Sequence, residues 1–223
     1  MGTLYIVATP IGNLKDITLR ALEVLRGASL ILAEDTRVTR KLLAHYEIHK
    51  TLKRFDEYAK QSSYEDIKNR LERGEKIAFV SDAGTPVIAD PGSKLVRYLR
   101  SDFKDFPIVA IPGPSAIVTA LSIAGVSADQ FTFLGYPPHK KGRETFFKNL
   151  VEIKNRPIVI YEAPHRIKKA LTQLETALGS EGEIVIGREL TKLHEEIFKG
   201  SLRMAQEYFK GEREKGEFVL IIP

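Results

Sequence analysis

Ser81-Asp82-Ala83-Gly84-Thr85-Pro86-Val87-Ile88-Ala89-Asp90-Pro91-Gly92 follows directly on the apolar run Ile77-Ala78-Phe79-Val80, and this junction decides the fold. A short apolar run bounded by turn formers reads as a buried strand, and the helical pattern from Ser93 to Arg100 makes the junction a strand-to-helix turn. In open α/β sheets, ligands bind at such turns, outside the carboxyl ends of the strands. Two carboxylates, two glycines and two prolines within eleven residues fix the backbone path and leave little side-chain bulk, so a ligand can approach the main chain closely. No lysine follows the glycine, which argues against a nucleotide P-loop. The alternative is a turn that merely caps a helix.

Outward from this turn, strand-like runs alternate with helical patterns. Strands are predicted at Leu4–Ala8, Leu30–Ala33 and Ile108–Ile111, and helices near Thr18–Arg26, Thr36–Tyr46, Ser62–Arg73 and Ala116–Ala124. This alternation is the signature of a parallel sheet. After Phe131–Leu134 the chain breaks at Gly135-Tyr136-Pro137-Pro138-His139-Lys140-Lys141-Gly142-Arg143, whose prolines, glycines and charges predict an exposed loop. Alternation then resumes with helix Glu144–Glu152, strand Ile158–Tyr161, helix Pro164–Leu178, strands Ile184–Gly187 and Glu196–Lys199, helix Leu202–Lys210 and strand Phe218–Ile222. The expected architecture is a Rossmann-like α/β domain over residues 1–113 and a mixed α/β domain over residues 114–223, packed around one cleft.

Composition narrows the function. At 223 residues and 43% apolar content the chain can bury proper cores, and 34 Lys and Arg against 29 Asp and Glu favour a polyanionic partner without requiring one. With no cysteine, thiol catalysis and cysteine metal sites are excluded, and the five histidines are too scattered to predict a metal site. The opening MGTLYIVATP has the wrong flanks for a signal peptide, and nowhere do eighteen apolar residues run together, so a soluble, cytoplasmic protein is expected.

Every candidate loop follows a predicted strand: Thr9-Pro10-Ile11-Gly12-Asn13-Leu14, Glu34-Asp35-Thr36-Arg37, the acidic turn, and Pro112-Gly113-Pro114-Ser115-Ala116. In a parallel sheet these loops emerge on one edge and form one pocket. The first lacks a full G-x-G-x-x-G, and Asp82 suits a cationic or zwitterionic ligand that carries a ribose.

The strings VATPIGNLKDIT, LILAEDTRVTRKLL, SDAGTPVIADPG, IPGPSA, YEAPHR and GRELTK, in this order, strongly resemble the ribosomal RNA small subunit methyltransferase I family of the tetrapyrrole methylase superfamily, also called class III methyltransferases. The resemblance spans nearly the whole chain. It implies a homodimer of two-domain α/β subunits with a cofactor cleft between the domains, which binds S-adenosyl-L-methionine and methylates the ribose 2′-oxygen of a cytidine in small-subunit (16S) ribosomal RNA. By matching segments, the cofactor would be held by Pro10, Asp82, Gly84, Thr85, Val87, Ile88, Ser115 and Ala116, and from the second half by Tyr161, Glu162, Ala163, Glu189 and Leu190. The chain departs from the family pattern at Lys53-Arg54-Phe55-Asp56-Glu57, where relatives show a His-Asn-Glu-like segment, and in stopping at KGEFVLIIP without the extension many relatives carry. Both departures are expected to touch RNA docking more than cofactor binding.

Methyl transfer from a sulfonium is an in-line displacement, so positioning of the acceptor dominates, and a base within reach of the hydroxyl proton adds to it. Glu34, Asp35, His165 and Glu189 are the catalytic candidates, all in strand-end motifs. Against this, Glu34 and Asp35 can be helix caps, His165 a structural first-turn residue, and Arg188 and Glu189 an ion pair. The expected RNA-binding cations are His139, Lys140, Lys141 and Arg143 in the loop and Arg37, Arg40 and Lys41 on the early helix, with Tyr136 stacking on a base. Two other functions share parts of this reading: a class III methyltransferase acting on a tetrapyrrole or a protein side chain, and a non-catalytic RNA-binding ribosome-assembly factor.

Overall fold

The structure, a computed structural model, describes residues 1–88, 92–102 and 107–223. Ala89, Asp90 and Pro91, which close the acidic turn, lie outside the described residues. By contacts the chain divides into two units, Met1–Ser115 and Ala116–Pro223.

The first unit is built on β1 (Thr3–Val7), β2 (Leu30–Ala33), β3 (Leu52–Arg54), β4 (Lys76–Val80) and β5 (Ile108–Ile111), ordered β3-β2-β4-β1-β5 and parallel throughout. β2 is buried along its whole length, as a strand covered on both faces must be. Alternate residues feed two separate cores. Leu30, Leu32, Ile77 and Phe79 face Ile67 and Leu71 of α3 (Gln61–Glu72) and Leu95 and Leu99 of α4 (Gly92–Asp102). Ile31, Ala33, Ala78 and Val80 face Ala21 and Leu25 of α1 (Leu19–Gly27) and Leu43 of α2 (Thr36–His45).

This division fixes the position of the acidic turn. From β1 the chain crosses through α1 to one face and on to β2, while from β4 it crosses through α4 to the opposite face and on to β5. Because β1 and β4 are hydrogen-bonded neighbours, their connections part in opposite directions. That is the topological switch point, where a crevice opens outside the carboxyl ends.

The second unit holds β6 (Thr132–Phe133), β7 (Ile158–Glu162), β8 (Glu183–Arg188), β9 (Glu196–Ser201) and β10 (Phe218–Ile222), ordered β6-β7-β10-β8-β9. Only β6 and β7 run parallel; the other pairs are antiparallel. α6 (Arg143–Asn149), α7 (Ile167–Leu178) and α8 (Leu202–Tyr208) contribute Phe147, Leu171, Leu174 and Ala205 to its core, and α5 (Ala116–Ile123) packs against β10.

The edge strand β3 was not anticipated. It has three residues, none fully buried, too few to raise a periodic signal. The helix expected over Pro164–Leu178 begins as a separate 3-10 turn, Pro164–Arg166, before α7. Among the described residues no helix is long and apolar enough to cross a membrane.

Candidate functional site

Of the five connections that leave the carboxyl edge of the first sheet, hydrogen bonds tie four together, those after β1, β2, β4 and β5. Thr9 N donates to Gly84 O at 2.9 Å and Gly84 N to Thr9 O at 3.1 Å, a two-way bridge joining the loop after β1 to the acidic turn after β4. Thr9 Oγ1 donates to Ser81 O at 3.3 Å, and Thr85 Oγ1 donates to Pro114 O at 3.1 Å, which brings in the loop after β5. Asp35 N donates to Asp82 Oδ1 at 2.9 Å, which brings in the loop after β2. Gly84 has φ +77°, a left-handed backbone that favours glycine, and a Cβ there would stand 3.3 Å from Ile11 Cγ2. Val87 has the same φ, 77°, which a β-branched residue rarely adopts, so the turn stores local strain next to Asp82.

Two of these loops, those after β2 and β4, border a hollow of about 990 Å3 together with the segment after β3 and the start of α4, lined among others by Glu34, Asp35, Arg37, Arg54, Asp82 and Val87. Asp35 caps α2 by accepting from Arg37 N at 2.8 Å, and the Arg37 guanidinium returns onto the same carboxylate at 3.0 Å. These bonds hold the Asp35 carboxyl well below the usual carboxylate range. Asp82 moves the other way. Asp82 is itself exposed, yet the surrounding loops take enough water from its carboxyl to push it up, against the Asp35 N–H bond, and the charge of Asp35 adds to the rise. Of the other residues expected here, Pro10 and Gly84 are buried, Thr85, Ser115 and Ala116 half-buried, and Ile88 exposed. Glu34 is half-buried, and Arg37, Arg40 and Lys41 are exposed on α2.

In the second unit, Glu162 ends β7 with its carboxylate fully buried. Its Oε2 accepts from Arg143 Nη2 at 2.6 Å, and its Oε1 accepts from Ala163 N at 2.9 Å and lies 2.8 Å from Arg166 Nε. Arg143 is therefore not the exposed RNA-facing cation that its place in a basic run implied: only 2% of its side chain is accessible, because Glu162 draws it inside. His139, Lys140 and Lys141 stay exposed. Tyr136 is exposed too, its ring 5.3 Å from that of the half-buried Tyr161. Burial pushes the Tyr161 phenol up to about 12, even with an N–H bond from Ile117 favouring the ionised form. His165 sits exposed in the 3-10 turn.

Glu189, with φ 50°, follows β8, and its Oε1 accepts from Lys192 Nζ at 2.8 Å and from Glu217 N at 2.9 Å. Burial raises its carboxyl, but Lys192 and the Glu217 N–H outweigh that and hold it below its ordinary value. Its neighbour Leu190 is buried. The ion pair considered between Arg188 and Glu189 is not formed. Arg188 instead donates from Nε to Lys215 O at 2.6 Å and lies 3.5 Å from Glu196 on β9. Among the described residues no group of three or more His, Asp or Glu could hold a metal ion.

The family model for Tetrapyrrole (Corrin/Porphyrin) Methylases matches residues 3–206. Two relatives called "Ribosomal RNA small subunit methyltransferase I" are each 43% identical: the Synechocystis sp. protein, matched over 100% of this chain and 79% of its own length, and the Thermotoga maritima protein, over 100% and 98%. The chain belongs to the ribosomal RNA small subunit methyltransferase I family. Its tetrapyrrole methylase fold is shared with uroporphyrin-III-C-methyltransferase from Thermus thermophilus, at TM-score 0.67 and 18% identity over 99% of this chain and 94% of that one.

The structure gives the segment Lys53–Glu57 a position. Arg54, Asp56 and Glu57 line the same hollow as Asp35 and Asp82, together with Tyr58 and Lys94, which the sequence reading missed. The unread strand β3 is what carries this segment to the sheet edge. A three-residue edge strand raises no periodic signal, so the side chains it carries to the sheet edge escape a reading of the sequence.

Proposed function

We propose that this protein transfers a methyl group from S-adenosyl-L-methionine to the ribose 2′-hydroxyl of a cytidine in small-subunit ribosomal RNA. The observation that carries the reading is that three other strand-end loops are hydrogen-bonded to the acidic turn that holds Asp82, at a switch point of the parallel sheet, in a chain of this family. When bound, the cofactor supplies an electrophilic methyl group on a cationic sulfur. The first unit fits such a ligand. Asp82 uses Oδ1 on Asp35 N, leaving Oδ2 to accept from a ribose hydroxyl or an ammonium, and the two-way bond of Gly84 to Thr9 holds the turn in place behind it. From the second unit, the main chain of Tyr161-Glu162-Ala163 and of Glu189-Leu190 serves the same ligand. The Glu162 carboxylate is already committed to Arg143, Arg166 and Ala163 N.

The chain's main work on the acceptor is to hold its oxygen in line with the methyl group, roughly 3 Å away. Asp35 and Glu189, both held low by cationic partners, make weak proton acceptors at neutral pH, so the hydroxyl proton is assigned to water rather than to either. RNA docks through His139, Lys140, Lys141 and Tyr136, with Arg40 and Lys41 of α2 as further phosphate contacts. We propose also that the protein works as a homodimer in the cytoplasm.

The test is transfer of labelled methyl to small subunits lacking the modification, followed by mapping of the labelled nucleotide. A ribose methyl on a cytidine is expected, and a methyl on a base overturns the reaction. RNA binding without any transfer would favour an assembly factor.

A further inference from the structure

The loop 135–142 that carries the exposed cations has no regular secondary structure, and Pro137 and Pro138 remove two of its amide donors. At those two positions only the carbonyls can anchor the backbone, and each meets a guanidinium. Arg166 Nη1 donates to Pro137 O and Arg143 Nη1 donates to Pro138 O, both at 3.4 Å. One carboxylate organises both guanidiniums, Glu162 with Oε2 on Arg143 at 2.6 Å and Oε1 on Arg166 at 2.8 Å. Arg143 Nε reaches further, to Gln173 Oε1 on α7 at 2.9 Å, and the Arg166 guanidinium stands 5.8 Å from the centre of the Tyr136 ring. The three charged side chains are 2%, 0% and 11% accessible.

Taking three charges out of water is a poor route to stability, since a well-packed apolar set of similar volume commonly serves as well or better. What the Arg143 fork does provide is direction, through its bonds to Glu162, Gln173 and Pro138, while Arg166 adds its charge beside Glu162 Oε1 and a bond from Nη1 to Pro137 O. We propose that Arg143, Glu162 and Arg166 form a buried latch that fixes the Pro137-Pro138 backbone and thereby presents Tyr136, Lys140 and Lys141 to RNA. The three are positioning residues and none touches RNA. This rests on the RNA-docking role given to the loop above.

The test uses the full chain with Arg143→Lys, which keeps the charge but cannot reach Glu162, Gln173 and Pro138 together. Gln173→Ala frees only the Nε arm, and serves as a milder variant should Arg143→Lys fail to fold. Three quantities are read: the rate of trypsin cleavage after Lys140 and Lys141, the affinity for a small-subunit RNA fragment across a salt series, and the thermal shift given by S-adenosylmethionine. In Arg143→Lys, cleavage should rise, RNA affinity should fall, and the slope of log affinity against log salt should shrink by about 1.4, two single-strand phosphate contacts at about 0.7 each. Gln173→Ala, which leaves both bonds to Glu162 in place, should move the same way by less and keep the wild-type cofactor shift.

Weaker RNA binding with unchanged cleavage overturns the latch, because Arg143 would then act on RNA without moving the loop. Faster cleavage with unchanged RNA affinity also overturns the proposal. Lys140→Ala/Lys141→Ala measured alongside tells which part failed: if that double variant binds RNA normally, the docking role is wrong rather than the latch.

Discussion

Replacing Asp82 by Asn separates what this carboxylate does for the fold from what it does for a ligand. Asn Oδ1 can still accept from Asp35 N, so the bond between the two loops survives. What is lost is the charge, and with it a charge-assisted bond to the cofactor of about 1.5–3 kcal/mol, or roughly 10- to 150-fold in Kd. At a cofactor concentration a hundred times the wild-type Kd, binding stabilises the wild-type fold by about 2.7 kcal/mol, and the variant by only about 0.3–1.3 kcal/mol. For a chain of this size, the thermal shift should drop from roughly 5–11 °C to roughly 1–5 °C. Without cofactor the direction reverses. Burial and the Asp35 charge raise the Asp82 pKa on folding, so this acid favours the fold only while protonated and detracts from it once pH rises through the folded value. The cofactor-free variant should therefore melt at or above the wild-type temperature at pH 7, and the difference should vanish below the ordinary value of 3.8. Differential scanning fluorimetry with and without S-adenosylmethionine reads both effects. A full-sized cofactor shift in the variant would refute the placement of Asp82 at the ligand.

Lys140→Ala/Lys141→Ala should lower the slope of log RNA affinity against log salt by about 1.4 and leave the cofactor shift intact, as read by filter binding. Gly84→Ala should cost about 1–2 kcal/mol from the left-handed backbone alone, read as a lower urea midpoint at unchanged m-value, because φ is +77° and the new Cβ meets Ile11 at 3.3 Å. Glu189→Gln bears on acid stability. Lys192 and Glu217 N hold the Glu189 carboxyl below 4.5, so its contribution is present above that pH and is lost as pH falls through the folded value. Wild type should exceed the variant in stability at pH 7, and the two curves should converge in acid; parallel curves would contradict the assigned bonds.

The strands of the first unit were legible because a strand covered on both faces is apolar throughout, as at Leu30–Ala33, and because loops after parallel strands must share an edge. Sequence also located Asp82, Gly84 and Asp35 on that edge, since topology alone sends them there. What it could not supply was the partner of a charge. Arg143 closes a run of exposed cations and reads as one of them, yet the residue that draws it inward is Glu162, nineteen positions away on another element. Arg188 and Glu189 are adjacent and of opposite sign, yet successive residues at a strand end point apart, and each finds its own partner. Local pattern fixes where a side chain starts from; burial and long-range pairing decide where its charge goes.

That distinction bears on which ligand each region can take. Among the described residues lining the hollow, five carboxylates, Glu34, Asp35, Asp56, Glu57 and Asp82, face three cations, Arg37, Arg54 and Lys94. Arg37 is committed to Asp35 and Arg54 to Asp56, so neither guanidinium is held ready for phosphate. Such a lining repels a polyanion and favours a cationic ligand, as the acid with the raised pKa at its edge also indicates. Phosphates are better met by cations not held in an ion pair, and Lys140 and Lys141 stand exposed on a loop where the buried Glu162 is shared by two arginines and forms no ion pair with either lysine. The overall charge of +5 hides this partition. Raising the salt should therefore weaken RNA binding steeply while barely changing cofactor affinity, and equal salt slopes for the two ligands would show that the partition is wrong.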